Sequence, residues 1–383
     1  CTQQEEEGSV LLYNNGALPL ASDERAVSLF GKNGTDIIYR SGAGGPIANL
    51  EYQVDLHKAF ADAGFSINET LYNGYLEYDR YQSGTGNRQG QVITRSATEI
   101  GEADKAFYTD DIVSSFTSYN DAAIVTLSRY GSEGADLSTS ETYSGQSLLA
   151  LDPNEADMLR AIEDSGSFDK TIVLLNGSFP IELDWLTDPQ YGVDACLWIG
   201  NPGYYGLPGV VNVLTGAANP SGHTMEIYAS DSMSSPAMMN FGDINYDISI
   251  DPAECEAVGG TKYVTYKEGI YVGYKYYETR YEDCILGQGG ASSGVGTYAS
   301  DGAWNYADEV CYPFGFGLSY TTFTYKLNSV TYNPDDDTFT ASVTVKNTGN
   351  VDGKASVQVY AQSPYTEYDK QNLVEKSAIQ LMN

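Results

Sequence analysis

Histidine is almost absent from this chain: His57 and His223 are the only two, and they lie far apart. A Ser/His/Asp triad or a His-rich metal site therefore has little to draw on. Cysteine is also sparse. Cys1, Cys196, Cys255, Cys284 and Cys311 form no CxxC pair and no Cys/His cluster, which excludes the spacing of a structural zinc site. Basic residues are the third shortage, with 20 Lys plus Arg against 52 Asp plus Glu and a formal charge of −32. Such a surface field repels nucleic acid and anionic lipid headgroups, because a phosphate binder needs the opposite sign. No stretch approaches the ~18 uninterrupted apolar residues of a membrane span. No charged and apolar leader precedes the first globular pattern either, so no signal peptide is expected. A lipidated Cys1 is one reading of the start, but the pattern GSVLLYNNGALPL follows so soon that almost no tether is left.

What remains is a folding chain. Hydrophobic residues make up 42% of 383 positions, too many for an acidic disordered segment. At roughly 150 residues per domain the length suits two or three domains. Tyr is abundant, with 32 copies. Tyr is a good strand former, and its ring also stacks on sugars. A neutral substrate such as a sugar suffers nothing from the negative field. Cys196, inside ACLWIG, reads as a core thiol, whereas a bridge among Cys255, Cys284 and Cys311 stays open.

Strand and helix signals alternate along the first two thirds. Ala26–Gly31 is a short apolar run, and Glu51–Gly64 reads as a helix closed by glycine. Asp121–Tyr130, Thr171–Asn176 and Ala195–Gly200 are nearly continuous apolar strands, as expected when both faces of a parallel sheet are covered. Asn154–Ser165 reads as a helix started by Asp152 and Pro153, and Gly209–Leu214 is helix-like. The expected fold is α/β, a doubly wound α/β sandwich. Gln288–Gly302 reads as a Gly/Ser-rich surface insertion. From about Tyr320 the period changes to strict alternation. Thr338–Lys346, the turn NTGNVDG and Ala355–Tyr360 read as strand, turn and strand. That pattern suits part of an all-β sandwich of fibronectin type III kind, and about half of one fits before residue 383.

Ligands of an open α/β sheet bind beyond the carboxyl ends of its strands. The strand DAAIVTLSRY runs directly into GSEGADL, so Glu133 stands just past such an end, between Ser132 and Gly134. Small neighbours let a substrate approach the carboxylate closely, which suits a catalytic acid or base; an exposed loop Glu without a role is the competing account. Arg129 and Asp136 stand nearby, each either orienting Glu133 or simply solvated. The loop Ser41–Gly45 (SGAGG) lacks the Lys-Ser/Thr of a phosphate-binding loop. His57 reads as a surface residue of an acidic helix and His223 as a structural loop residue. Asn33, Asn68 and Asn176 begin N-x-S/T sequons, of which Asn176 ends a buried strand.

Six segments in order carry a resemblance to glycoside hydrolase family 3. They are Ser9–Leu20, Ser128–Leu137, Thr215–Gly222, Glu268–Thr279, Tyr312–Tyr325 and Val343–Tyr360. The resemblance implies the family's α/β sandwich domain over 1–318, with a surface insertion at about 281–309, and an incomplete fibronectin type III-like domain over 319–383. It implies a β-glucosidase-like retaining hydrolase of terminal β-linked sugars, with Glu133 as general acid/base. Gly131-Ser132 stands where the family more often has Ser-Gly, which keeps both positions small. The family's nucleophile is an Asp on a separate (β/α)8 barrel, and no such motif is present. Asp184-Trp185 resembles it superficially but matches a structural segment of the sandwich domain. The implied partners are an oligosaccharide or β-glucoside and a barrel of the same full-length protein, with no metal or organic cofactor. Both ends look cut, and the phrase NPSGHTMEIYASD resembles a permuted subset whose barrel follows. A barrel encoded before Cys1 would sink that expectation. The alternative is a non-catalytic carbohydrate-binding or scaffold protein that lost its barrel. The acidic, Tyr-rich surface leans extracytoplasmic.

Overall fold

The computed structural model describes residues 1–40, 53–78, 87–88, 91–92, 100–131, 136–139, 147–242, 244–245, 262–266, 268–287 and 304–382. Its chain divides into two compact units. The first holds Cys1–Phe179, Asp184–His223 and Phe316–Ser356, and the second Pro180–Leu183, Thr224–Gly315 and Val357–Asn383.

A six-stranded sheet organises the first unit. Its strands are β1 (Val10–Asn14), β2 (Ala26–Phe30), β3 (Ser66–Ile67), β4 (Ala122–Ser128), β5 (Thr171–Asn176) and β6 (Ala195–Gly200). Their order is β1-β6-β5-β4-β2-β3, with β1 antiparallel and every other pair parallel. All residues of β4 and β5 are buried, which explains why they read as unbroken apolar runs rather than alternating ones. One face carries Val27, Leu29, Ile124, Ile172, Leu174 and Leu197 against helices α2 (Leu56–Asp62) and α6 (Leu207–Leu214). Phe30 points the other way into an edge-on trio with Phe116 and Phe168. The doubly wound α/β expectation holds.

Local chemistry sets the helix ends. Helix α2 starts at Leu56 rather than near Glu51, because the Asp55 side chain accepts the Lys58 N–H and caps it there. Helix α5 (Pro153–Ser165) opens on a capping box of Asp152 and Glu155 and closes at Gly166 in the left-handed region. His57 sits on α2, 2.8 Å from Glu69 and tilted against Tyr72. His223 is a loop residue whose Nδ1 lies 3.4 Å from Ser356 Oγ.

The amino-terminal helix α1 (Thr2–Gly8) lies on α6; a Cβ at Gly209 would come within 2.5 Å of Thr2 O. Glu6 Oε1 accepts Asn212 Nδ2, and Glu5 Oε1 accepts the Ser9 hydroxyl. Burial pushes the Glu5 carboxyl up to about 7, against the smaller pull of Ser9. The folded state thus keeps a proton that the unfolded chain releases near pH 4.5. Glu5 therefore stabilises the fold below that pH, and the contribution is lost as pH rises through about 7. The loss is bounded at about 3 kcal/mol. Glu5→Gln is expected to shrink the drop in urea midpoint between pH 5 and pH 8; an unchanged drop would show that Glu5 ionises freely in the folded state.

Beyond the sheet, Phe323–Asn333 and Thr338–Asn347 form a long antiparallel ribbon. The turn Asn333–Thr338 suits its aspartates: Asp337 adopts φ 54°, and the Asn333 and Asp336 side chains accept the Asp335 N–H and the Thr338 hydroxyl. Register pairs Tyr325 with Val345, Leu327 with Val343, Val330 with Ala341 and Tyr332 with Phe339 on one face. A bulge between Leu327 and Ser329 keeps Val330 and Tyr332 on the side of Leu327, although they stand three and five positions on. The opposite face is Thr, Ser, Lys and Asn. The apolar face is exposed, Phe339 at 73% and Leu327 at 61%.

This corrects the expected strand pairing. Thr338–Asn347 pairs with the preceding strand, and residues 352–359 form no strand. The segment Phe323–Asn333 alternates equally well, and the tight aspartate turn brings it alongside first. The ribbon is seated on the sheet unit by Asn219, whose Oδ1 accepts Ser319 Oγ and Tyr320 N while Nδ2 donates to Asp352 O. Tyr320 Oη donates to Val213 O, and Leu318 bridges to Leu11. Two of the quoted motifs, Thr215–Gly222 and Tyr312–Tyr325, thus meet in a structural joint.

Among the described residues, the second unit has little regular structure and an aromatic core. Strands β7 (Tyr228–Ala229) and β8 (Val310–Tyr312) pair antiparallel. Helix α7 (Tyr274–Tyr281) packs Tyr276 and Tyr277 with Ile227, Tyr271 and Val310. Tyr306 Oη donates to Glu278 Oε1, and Arg280 lies over the Trp304 ring. Here the abundant tyrosine is core material. Residues 282–286 continue α7 as a π-helix, and Gln288–Gly302 lies outside the described residues. Cys196 is fully buried, and that burial pushes its thiol up; Cys1 and Cys284 are exposed free thiols, and Cys255 lies outside the described residues. No helix among the described residues is long and apolar enough to cross a membrane.

Candidate functional site

The carboxyl ends of β2, β4, β5 and β6 converge on one edge of the sheet, the edge where open α/β folds bind ligands. Two glycines make the close passage of these strand exits possible. Gly31 leaves β2 at φ 93°, and a Cβ there would lie 2.6 Å from Thr126 O of the neighbouring strand. A Cβ on Gly177, just past β5, would lie 2.8 Å from Arg129 O.

Asn176, the last residue of β5, binds the edge together. Its Oδ1 accepts the Ile38 N–H at 2.7 Å and the Ser128 hydroxyl at 2.9 Å. Its Nδ2 donates to Ile38 O at 3.0 Å and Gly200 O at 2.7 Å. One buried amide with two acceptor and two donor positions thereby joins the segment after β2 to the ends of β4 and β6. Sequence reasoning noted only that Asn176 closes a buried strand. The available signal was the polar end of TIVLLN, since a buried amide must find partners for both its groups.

Arg129, the first residue past β4, is 4% exposed. Its Nε donates to Leu148 O, and Nη1 donates to Ser128 O at 3.0 Å and Glu155 Oε1 at 2.7 Å. Nη2 donates to Ala150 O at 2.7 Å and Glu155 Oε2 at 2.8 Å. Five N–H groups thus meet five acceptors, two of them on a carboxylate in the bidentate geometry that only guanidinium offers. Glu155 is fully buried, and its Oε2 also accepts the Asp152 N–H. The solvated alternative for Arg129 is therefore wrong: the fold surrounds it with carbonyls and a carboxylate that repay its desolvation. The helix start at Asp152 and Pro153 was legible, but the capping box with Glu155 and the pairing of Glu155 with Arg129 were not.

Of the other candidates, Glu133, Ser132 and Gly134 lie outside the described residues, as does Ser41–Gly45. Of the residues flanking that segment, Gly131 and Leu137 are buried and Asp136 is exposed. Asp184 is exposed at the start of a 3-10 helix, with Trp185 buried edge-on to Tyr191. That short helix adjoins the amino ends of β5 and β6: Leu186 lines a cavity of about 410 Å³ there with Thr171 and Asp194. The three sequon asparagines are all buried. Asn68 caps helix α3 (Glu69–Glu77) and donates to Ser28 and Ser115. Among the described residues, no group of three or more His, Cys, Asp or Glu side chains has metal-binding geometry.

Against known proteins, residues 9–274 match the glycosyl hydrolase family 3 C-terminal domain. The chain belongs to glycosyl hydrolase family 3. A β-glucosidase of Ruminococcus albus is 29% identical over 369 residues, covering 95% of this chain and 32% of that protein. β-Glucosidase A of Butyrivibrio fibrisolvens is 27% identical over 398 residues, covering 95% and 41%. Among solved structures, β-glucosidase 3B from Thermotoga neapolitana in complex with glucose superposes with a TM-score of 0.72 at 26% identity, covering all of this chain and 45% of that one. A β-glucosidase from Paenibacillus barengoltzii gives 0.71 at 25% identity, covering 99% and 35%. This family 3 chain spans 32–45% of the length of these relatives. The family expectation and the α/β fold with a partial all-β part both hold.

Proposed function

We propose that this chain is a fragment of a retaining β-glycosidase acting on terminal β-linked sugars, carrying the family 3 C-terminal domain, with Glu133 as its general acid/base. The observation that carries the proposal is the edge just described. The segment bearing Glu133 leaves from β4 at the carboxyl ends of the parallel strands, where a buried arginine and a buried asparagine fix the surrounding exits. The β-glucosidase names of the relatives support the substrate class, and their greater length leaves room for a (β/α)8 barrel with the nucleophile.

Retaining hydrolysis needs two carboxylates roughly 5–5.5 Å apart. In the first step the barrel aspartate forms a bond to the anomeric carbon, the glycosidic bond breaks, and Glu133 gives its proton to the leaving oxygen. In the second, water attacks the anomeric carbon and loses a proton to Glu133, and the aspartate departs. We assign residues 1–318 to the sandwich domain and 319–383 to an incomplete fibronectin-like domain. The exposed apolar face of the Phe323–Asn347 ribbon supports further strands covering it, since a two-stranded ribbon is marginal alone.

The test compares this chain alone with the complete polypeptide on an aryl β-glucoside. The chain alone is expected to give no turnover and the complete protein to give turnover. Hydrolysis by the isolated chain would overturn the division of the two carboxylates.

A further inference from the structure

We propose that Arg129 and Glu155 are positioning residues that set the placement of Glu133; the proposal rests on the assignment of Glu133 as acid/base. Arg129 and Leu148 flank, in sequence, the stretch that contains Glu133; Arg129 directly follows β4. The Arg129 guanidinium bonds the carbonyls of Leu148 and Ala150, after that stretch, while its own backbone precedes it. The two flanks are therefore joined through one rigid planar group. Glu155 holds that group from the far side with both oxygens.

Glu155 is itself fixed. It is the third residue of helix α5, locked by the reciprocal capping box with Asp152, and α5 is anchored by buried Met158, Leu159 and Ile162. The clamp thus refers both ends of the Glu133 segment to a packed helix. Asn176 adds a second reference, tying Ser128, next to Arg129, to the ends of the adjoining strands. A proton donor must sit within about half an ångström of its productive position, so control of where this segment starts and ends bears on the chemistry.

Stability alone does not call for such a pair. A buried ion pair replaced by apolar residues of similar volume is often neutral or stabilising for the fold. What apolar residues cannot do is bond the Leu148 and Ala150 carbonyls. Lysine fails as well, because an ammonium has three donors and no plane with which to reach two carbonyls and a bidentate carboxylate together.

The experiment uses the complete enzyme and a series of β-glucosides from activated aryl to alkyl leaving groups. It compares wild type, Glu133→Ala, Arg129→Lys and the double variant Arg129→Met with Glu155→Leu, each checked for melting temperature. The double variant is expected to melt below wild type, because the Leu148, Ala150 and Ser128 carbonyls lose their donor, and, measured well below its melting temperature, to lose about 100-fold in kcat/KM on alkyl glucosides with a much smaller loss on activated aryl ones. Its dependence on leaving group then steepens toward that of Glu133→Ala. Arg129→Lys, which keeps charge and bulk, is expected to steepen the dependence less, and it decides the matter if the double variant does not fold. A folded clamp variant with the wild-type dependence, beside a steepened Glu133→Ala, would overturn the clamp and leave Glu133 in place. A wild-type dependence in Glu133→Ala itself would overturn both.

Discussion

Asn176→Ala is expected to cost the sheet unit about 3–4 kcal/mol, enough to lower the urea midpoint sharply with little change in slope. The substitution removes four hydrogen bonds at once. It leaves Ile38 N–H, Ile38 O and the Ser128 hydroxyl facing a cavity among buried neighbours, while Gly200 O keeps the Gly177 N–H. Each buried polar group without a partner costs about 1–3 kcal/mol, and partial relaxation keeps the sum below the simple total. Asn176→Asp is a sharper probe than size alone. It retains the acceptor for Ile38 N–H and Ser128 but sets a carboxylate oxygen against Ile38 O and Gly200 O, so a loss at least as large is expected. A loss under about 1 kcal/mol in both variants would mean that other groups, not Asn176, hold the strand exits together.

Much of this fold was legible because its strands are buried on both faces. TIVLLN and ACLWIG coincide with β5 and β6, since a parallel strand covered on either side needs apolar residues throughout and the bounds fall where they stop. Helix α5 was equally plain, its start written in Asp152 and Pro153. The ribbon was harder. Alternation told that strands were present, but three alternating segments compete for two partners, and the bulge that keeps Val330 in phase is invisible without the opposite strand. The candidate site follows the same rule. Position after an apolar strand and small neighbours pointed to Glu133, and both are local signals. The Arg129 guanidinium and the Asn176 amide act across chain separations that no spacing rule spans, so their partners emerge only when the sheet is assembled.

Glu133→Ala in the complete enzyme is expected to lower kcat/KM by about 10²–10⁴-fold on alkyl and disaccharide substrates, the range that a well-placed general acid supplies. The loss on aryl glucosides with strongly acidic phenols should be far smaller for the glycosylation step, because such leaving groups depart without a proton. Deglycosylation still needs the same carboxylate as base, so with those substrates the covalent intermediate should accumulate and appear as a burst of released phenol. A small anionic nucleophile such as azide needs no base, and added azide is expected to restore turnover and give a glycosyl azide of retained configuration. The basic limb of the kcat/KM profile should also vanish for the alkyl substrates, since the proton whose loss causes it is gone. An equal loss on good and poor leaving groups, with no burst and no azide effect, would assign Glu133 a structural role. The chain would then be better described as a sugar-binding module of the family, and saturable binding of glucose by the isolated chain would be the property to seek.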